Sequence, residues 1–211
     1  MKFKCLLILS LFAISFNTFA QSIEKGNIAF EGGAGIAIYN TRTTHTIQNT
    51  TTVEQETGIT AAGVFPLFGS YAITDRIAAG AGFRYSTYIH NDSDDVSSAT
   101  AIDFAIRPEF HLIRSKHTDL YVAGTLGFSH FAYLTNLSNQ AQAVGNGTQY
   151  GLSLTSRFYF SKSIGMYLTY SYNAYNYPNI KITDNTTNPP DYFQFLLDGS
   201  TYGIGLVVNI H

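Results

Sequence analysis

Serine, histidine and acidic residues that could do hydrolytic chemistry occur near one another in this sequence. Ser129 and His130 are adjacent, and Ser86 lies four residues before His90. A serine nucleophile needs a histidine base within hydrogen-bonding distance. Adjacent strand residues point to opposite faces, and four residues of strand span roughly 13 Å, so neither pair can form a dyad on a strand. A contact between His90 and Asp103 stays open, and without a placed nucleophile we interpret it as structural.

Residues associated with metal or phosphate binding have no suitable spacing. The six histidines lie at 45, 90, 111, 117, 130 and 211, with no close His-x-His or His-x-x-x-His pair. We therefore predict no metal site and no cofactor. The run Gly32-Gly33-Ala34-Gly35 could suggest a phosphate loop, but no helix signal follows it. We interpret it as small residues in an alternating segment that leave room for neighbouring side chains.

Six charged residues fall on the polar faces of alternating segments. They are Glu31, Arg84, Asp103, Arg107, Glu109 and Arg157, so their charges balance. Charges enclosed in a narrow space need partners, because an unpaired buried charge costs several kcal/mol. We predict a structural charge network in which Arg84 meets Glu109 and Arg107 lies close to Asp103 or Glu31. A selectivity ring in a conducting pore is the functional alternative.

These charges lie in segments in which apolar and polar residues alternate. In one of them Ile102, Phe104, Ile106, Phe110 and Leu112 share one face, whereas Asp103, Arg107, Glu109 and His111 share the other. The alternation predicts strands near 26–39, 58–73, 76–90, 100–113, 119–133, 148–160, 164–175 and 199–210. Every second connection is short, at 74–75, 114–118 and 161–163, and the others, at 40–57, 91–99, 134–147 and 176–198, are long and polar. This layout predicts an all-β fold, an eight-stranded antiparallel up-and-down barrel.

The composition decides which face of the barrel points outward. Only 12% of the residues are charged and 45% are apolar. A soluble ligand-binding barrel needs many charges outside, whereas lipid excludes them at about 2–4 kcal/mol for an Arg or Lys at mid-depth. We therefore predict a transmembrane barrel with its polar faces inside, where eight strands leave only enough room for side chains. A net charge of −2 and the lack of Lys/Arg runs argue against nucleic-acid binding.

The N-terminal segment has the three parts of a cleaved secretory signal. Residues 1–4 are basic, residues 5–16 are mostly apolar but too few to span a bilayer as a helix, and small residues precede Gln21. We expect 1–20 to be removed, which leaves 21–211 as a single barrel domain without cysteine. Within that domain, Pro66 and Pro108 interrupt otherwise regular strands, and we predict a β-bulge at each.

Two segments resemble the small outer-membrane β-barrel family, of the outer membrane protein A transmembrane-domain and protein X type. They are FPLFGSYAITDRIAAG at 65–80 and GMYLTYSY at 165–172, which share the family's pattern of glycines and aromatics. The resemblance implies insertion into the outer membrane of a Gram-negative bacterium from the periplasm. The chain departs from the family's usual aromatic C-terminus by ending in Asn209-Ile210-His211.

The resulting functional prediction is an integral outer-membrane protein without catalytic residues. It acts as a monomer among outer-membrane lipids, with a closed, charge-filled lumen and a structural or adhesion-like role. Loops 40–57 and 176–198 are the candidate surfaces for an extracellular partner, and the eight threonines of the first favour extended structure suited to strand addition. The alternatives are a small solute channel and, from the resemblance, a lipid A-modifying enzyme.

Overall fold

Eight antiparallel strands close into one barrel in chain order, which confirms the predicted fold class. The computed structural model describes residues 24–46, 53–89, 96–135, 142–183 and 192–211. The strands are β1 (Ile28–Thr46), β2 (Val53–Ala72), β3 (Ile77–Tyr88), β4 (Val96–Arg114), β5 (Thr118–Thr135), β6 (Gln142–Tyr159), β7 (Ile164–Thr183) and β8 (Tyr192–Ile210). No helix in the described ranges is long and apolar enough to cross a membrane. The predicted signal segment 1–20 and His90 lie outside the described residues.

The barrel has two distinct ends. One end carries the three short connections, 73–76, 115–117 and 160–163, and we call it the turn end; the other is the loop end. The short connections lie within one or two residues of their predicted positions. The barrel is closed by β1 and β8, which pair from Ile28 opposite Ile210 to Thr46 opposite Tyr192.

A hydroxyl group fixes each of the three short turns. In every case a Ser or Thr side chain accepts a hydrogen bond from the backbone N–H three residues later. The three pairs, all 3.0 Å apart, are Ile77 N to Thr74 Oγ1, Thr118 N to Ser115 Oγ, and Ile164 N to Ser161 Oγ. Short polar side chains satisfy turn backbone in this way, so these three hairpins are specified locally by the sequence.

Outward-facing apolar residues surround the barrel, as the alternation predicts. On β4, Phe104 and Ile106 are exposed, whereas Asp103 and Arg107 are buried in the lumen. We define the apolar belt as the outward positions of 28–38, 65–73, 77–85, 102–112, 120–128, 150–158, 164–172 and 202–210. None of these outward positions carries Lys, Arg, Asp or Glu. Each segment of the belt is 9 to 11 residues long.

The strands reach farther at the loop end than predicted. β1 continues to Thr46 rather than 39, and β8 begins at Tyr192 rather than 199, so much of the predicted loops 40–57 and 176–198 is strand. The prediction relied on apolar alternation, which fades where the outer face turns polar. The backbone ladder between β1 and β2 nevertheless continues there to Thr46 opposite Val53.

The bulges predicted at Pro66 and Pro108 are wrong. The β2–β3 register runs evenly through Pro66 and the β3–β4 register runs evenly through Pro108. What lapses is the pairing with the other neighbour, because the β1–β2 ladder skips Pro66 and the β4–β5 ladder skips Pro108. A proline has no N–H to donate, so a skipped pair accommodates it without an inserted residue.

A bulge does occur at a third proline. The β7–β8 register shifts between Tyr177 and Ile180, with Pro178 and Asn179 between them. Both intervening residues are exposed, whereas Tyr177 and Ile180 are buried in the lumen. The extra residue therefore restores inward-facing apolar side chains on the far side of the proline.

Candidate functional site in the barrel lumen

Arg157 of β6 is the centre of a charge cluster in the turn-end half of the lumen. Its side chain is fully buried and contacts one carboxylate from each of three other strands. Nε lies 2.6 Å from Glu31 Oε1, Nη1 lies 3.2 Å from Asp119 Oδ2, and Nη2 lies 3.2 Å from Glu109 Oε2. A guanidinium can do this because it presents five N–H donors in one plane. Arg157 thereby ties β6 to β1, β4 and β5.

Glu31 of β1 accepts hydrogen bonds from three other strands. Besides Arg157, Arg107 Nη2 donates to Glu31 Oε2 at 2.6 Å and Tyr121 Oη donates to Glu31 Oε1 at 2.8 Å. Arg107 Nη2 also lies 2.7 Å from Glu109 Oε1. The Arg157 guanidinium stacks over the Tyr121 ring at 4.3 Å from its centroid, which adds a cation–π contact. One carboxylate therefore holds β1 to the opposite wall.

Three members of this cluster were not in the predicted network: Asp119, Tyr121, and His111, which the alternation had placed only on the polar face of its strand. Asp119 Oδ1 lies 2.6 Å from His111 Nδ1, and both side chains are buried. Asp119 is only the second residue after the short turn 115–117, a position where an acidic residue would be expected to be exposed to solvent. The alternation of Asp119 with Leu120 on β5 was the signal that could have placed it inside. We call the whole set the Arg157 cluster: Glu31, Arg107, Glu109, His111, Asp119, Tyr121 and Arg157.

A second cluster lies closer to the loop end. Arg84 Nε donates to Asp103 Oδ2 at 2.9 Å, directly opposite in the β3–β4 register. Asp103 Oδ1 accepts from Ser129 Oγ at 2.5 Å, and its Oδ2 accepts from Tyr175 Oη at 3.1 Å. Tyr177 Oη lies 2.6 Å from the same serine Oγ. These five residues form the Arg84 cluster.

The six residues of the predicted network all lie in the lumen, but in two groups. Glu31, Arg107, Glu109 and Arg157 are in one, and Arg84 and Asp103 are in the other. The predicted contact of Arg84 with Glu109 is wrong, because the register places Glu109 opposite Ala78, six residues away on β3. Of the two partners proposed for Arg107, Glu31 is in contact, whereas Asp103 pairs with Arg84.

A small cavity of about 70 Å³ lies between the two clusters. Val64, Pro66 and Phe68 form an apolar wall on one side. The other side presents hydroxyl and amide groups, from Thr125, Gln149, Ser153, Thr155, Thr169, Ser171 and Asn173. Gln149 is buried, and its Oε1 has no hydrogen-bond partner among the described residues. A water needs about 10–15 Å³ of such volume, so the cavity has room for a few waters.

Apolar side chains narrow the lumen beyond each cluster. Towards the loop end, Tyr39, Tyr88 and Phe131 pack in one buried group with Tyr175 and Tyr177 of the Arg84 cluster, and the ring centroids of Tyr88 and Phe131 are 5.7 Å apart. Towards the turn end, the buried group consists of Ala29, Ala72, Tyr159 and Val207. The charges are therefore enclosed at both ends, where exclusion of water strengthens their attraction.

Gly33 and Gly205 lie opposite each other at the β1–β8 seam and make room for Tyr167. A Cβ added at Gly33 would lie 2.6 Å from Tyr167 Oη, and one added at Gly205 would lie 2.6 Å from Tyr167 Cε1. Both distances are far shorter than a van der Waals contact. The glycine run therefore lies in a strand and serves packing, which supports the structural interpretation over a phosphate loop.

The candidate catalytic residues are separated by the barrel wall. Ser129 faces the lumen, whereas the exposed His130 contacts Asn146 Oδ1 through Nδ1 at 2.7 Å. Ser86 is buried in the lumen, and the proposed contact of His90 with Asp103 lies outside the described residues. In the described ranges, no group of three or more His, Cys, Asp or Glu residues could hold a metal ion.

Many solved structures resemble the barrel, including two outer membrane proteins and a surface protein. The outer membrane protein OprG from Pseudomonas aeruginosa has a TM-score of 0.60 at 10% identity, covering 91% of this chain and 99% of that one. Neisserial surface protein A (NspA) has a TM-score of 0.54 at 9% identity, and the match covers 87% of this chain and 99% of that one. The outer membrane protease OmpT from Escherichia coli has a TM-score of 0.50 at 10% identity, and the match covers 87% of this chain and 97% of that one.

Sequence comparisons add no closer relative. No protein-family model matches the chain, and no curated protein sequence matches it. At identities near 10% the structural similarity concerns the fold alone, and the similar structures include both a surface protein and a protease. In fold, the chain is a small eight-stranded antiparallel β-barrel that resembles the barrels of solved outer membrane proteins.

Proposed function

We propose that this chain is a monomeric, integral outer-membrane protein with a structural or surface-interaction role. The apolar belt carries this proposal, because it surrounds the barrel without a charge. Its segments of 9 to 11 residues have the length of tilted strands that span a bilayer. In this proposal residues 1–20 direct export, and residues 21–211 insert from the periplasm with the loop end outside.

The contents of the lumen support a closed barrel rather than an open pore. Arg157 and its three carboxylates come from four strands and cross the lumen, and apolar side chains narrow it above and below. The charge network then has a structural role, holding opposite walls together. The small cavity favours one alternative, a solute channel that opens when the two clusters rearrange.

The loop end provides the candidate surface for a partner. β1 continues eight residues beyond the belt, from 39 to 46, which is roughly 20 Å of protrusion for a tilted strand. β3 ends at Tyr88, and β2 pairs with it only as far as Ala62. Ala61 O still accepts a hydrogen bond from Ile89 N, but the described residues of β2 beyond Ala61 pair with β1 alone, and Ile59 there is 78% exposed. Such a strand edge can bind an extended segment of a partner by backbone hydrogen bonds.

A closed membrane barrel makes two predictions for the purified protein. After refolding in detergent, the unboiled protein is expected to migrate faster on a gel than the boiled protein, because the barrel resists unfolding until heated.

In planar lipid bilayers, the same preparation is expected to show no large, stable openings. Such openings from the pure protein would support the channel alternative and contradict the closed lumen.

The proposed orientation can be tested by cysteine labelling. The sequence has one cysteine, Cys5, within the predicted signal, so an introduced cysteine is the single thiol of the mature chain. In intact cells, a membrane-impermeant maleimide is expected to label Ile59→Cys at the loop end nearly completely. Lys162→Cys at the turn end should stay near background until the outer membrane is permeabilised. The reverse pattern would contradict the proposed orientation.

A further inference from the structure

The charged residues outside the lumen are divided unequally between the two ends of the barrel. In the described ranges, the turn end carries five basic and two acidic residues, a net charge of +3: Lys25, Arg76, Arg114, Lys116 and Lys162, with Glu24 and Asp75. Beyond the belt at the loop end, the described residues include three acidic ones, Glu54, Glu56 and Asp198, and two basic ones, Arg42 and Lys181, a net charge of −1. The turn end is therefore positive, although the whole chain has a net charge of −2.

The basic residues of the turn end lie at the edge of the apolar belt. Arg76 precedes Ile77, an exposed belt residue, and Lys162 lies two residues before the exposed Ile164. At the rise of a strand, these separations correspond to roughly 3–7 Å. This is the depth at which lipid phosphates meet the hydrocarbon core, and long Lys and Arg side chains extend readily to that level.

We propose that the turn end binds anionic phospholipid headgroups in the leaflet that it faces. This inference rests on the membrane placement proposed above. Phosphate oxygens accept charge-assisted hydrogen bonds from both guanidinium and ammonium groups. Asp75 offsets part of the positive charge, since its Oδ1 lies 3.8 Å from Arg114 Nη1. Arg76, Lys116 and Lys162 are exposed in the three turns, so the basic residues surround the barrel rather than form one patch.

The position of these residues favours a lipid over a soluble partner. A docking surface for a soluble anionic protein would project its charges away from the membrane. Here the connections are only three or four residues long, so the basic side chains stay next to lipid-facing residues. Each basic residue near an anionic surface is expected to raise the affinity for it about fivefold.

Spin-labelled lipids can test the proposal on the full-length mature protein. The protein is reconstituted in phosphatidylcholine vesicles containing traces of phosphatidylglycerol or phosphatidylcholine with a label near the acyl-chain end. Electron spin resonance then measures the motionally restricted fraction of each lipid, which is the fraction in contact with protein. We expect phosphatidylglycerol to associate severalfold more strongly than phosphatidylcholine, and 0.5 M salt to reduce this preference.

Two matched double variants locate the effect, since each removes one Arg and one Lys. R76Q/K162Q at the turn end is expected to lower the preference for phosphatidylglycerol at least twofold. R42Q/K181Q at the loop end is expected to leave it unchanged, and an equal loss in both variants would overturn the proposal.

The labelled phosphatidylcholine separates this inference from the membrane placement. A restricted phosphatidylcholine fraction without any preference for phosphatidylglycerol would overturn the headgroup site while supporting insertion. The absence of any restricted lipid would overturn both. Binding of soluble polyglutamate that depends on Arg76 and Lys162, without a phosphatidylglycerol preference, would overturn the lipid in favour of a soluble anionic partner.

Discussion

Arg157→Ala is expected to lower the free energy of unfolding by about 3–5 kcal/mol, the cost of removing one partner from a buried ion cluster. The substitution leaves Glu31, Glu109 and Asp119 without the cation that all three contact. Arg107 still reaches two of these carboxylates, but Asp119 keeps only His111 among the partners described above. Urea unfolding in lipid vesicles, followed by loss of the fast-migrating gel band, measures the change.

Two control variants separate charge from geometry. Arg157→Lys keeps the positive charge but replaces the planar fork with a single ammonium group, so we expect an intermediate loss. Arg42→Ala removes an exposed arginine at the loop end and is expected to change stability by less than about 0.5 kcal/mol. A loss below about 1 kcal/mol for Arg157→Ala would show that the cluster is not structural.

Leu206→Arg has the second largest expected effect, a loss of about 2–4 kcal/mol in a bilayer. Leu206 lies on the outer face of β8, near the middle of its belt segment 202–210, and its side chain is 61% exposed. In water such a substitution would be nearly neutral, because the side chain contacts little protein. In lipid the guanidinium loses its hydration, so the decrease in the free energy of unfolding shows whether lipid or water surrounds position 206. The same urea titration in vesicles measures it.

Thr57→Arg is the matched control for the membrane. Thr57 is exposed on β2 beyond the belt, at the loop end. The same new charge there stays in water, and we expect a change within about 0.5 kcal/mol. If the two arginines have equal effects, the apolar belt does not lie in lipid and the proposed placement fails.

The alternation of apolar and polar residues alone predicted most of the fold. Lipid on one side and a narrow lumen on the other constrain every position of a spanning strand, so the alternation is regular there. The faces of β4 illustrate this, since Phe104 and Asp103 lie on the predicted sides. The loop-end strand extensions were missed because the apolar alternation of the outer face fades there, although Tyr177, Ile180 and Leu197 are still buried in the lumen. The bulge at Pro178 was missed because the affected stretch had been assigned to a loop.

The composition of the lumen was predictable, but its pairings were not. Glu31 and Arg157 are 126 residues apart in sequence, and their contact depends on how eight strands are staggered around the barrel. The stagger depends on the register of every pair of neighbouring strands, so it cannot be predicted from the sequence of one segment. The wrong partner for Arg84 has the same origin, since the β3–β4 register lies six residues from the one assumed.

The seam between β1 and β8 sets the order in which the barrel can be completed. Its two strands are the first and the last described in the chain, so this pairing has the greatest sequence separation of any ladder and the slowest route to formation. Glu31 sits on β1, whereas Arg107, Tyr121 and Arg157 arrive with β4, β5 and β6. While the sheet is still open, Arg107 and Arg157 can contact Glu109 but lack Glu31, the other carboxylate that they share. Closure of the ring and completion of the Arg157 cluster therefore occur in one step, and a half-assembled barrel lacks the contacts that tie β1 to β4, β5 and β6.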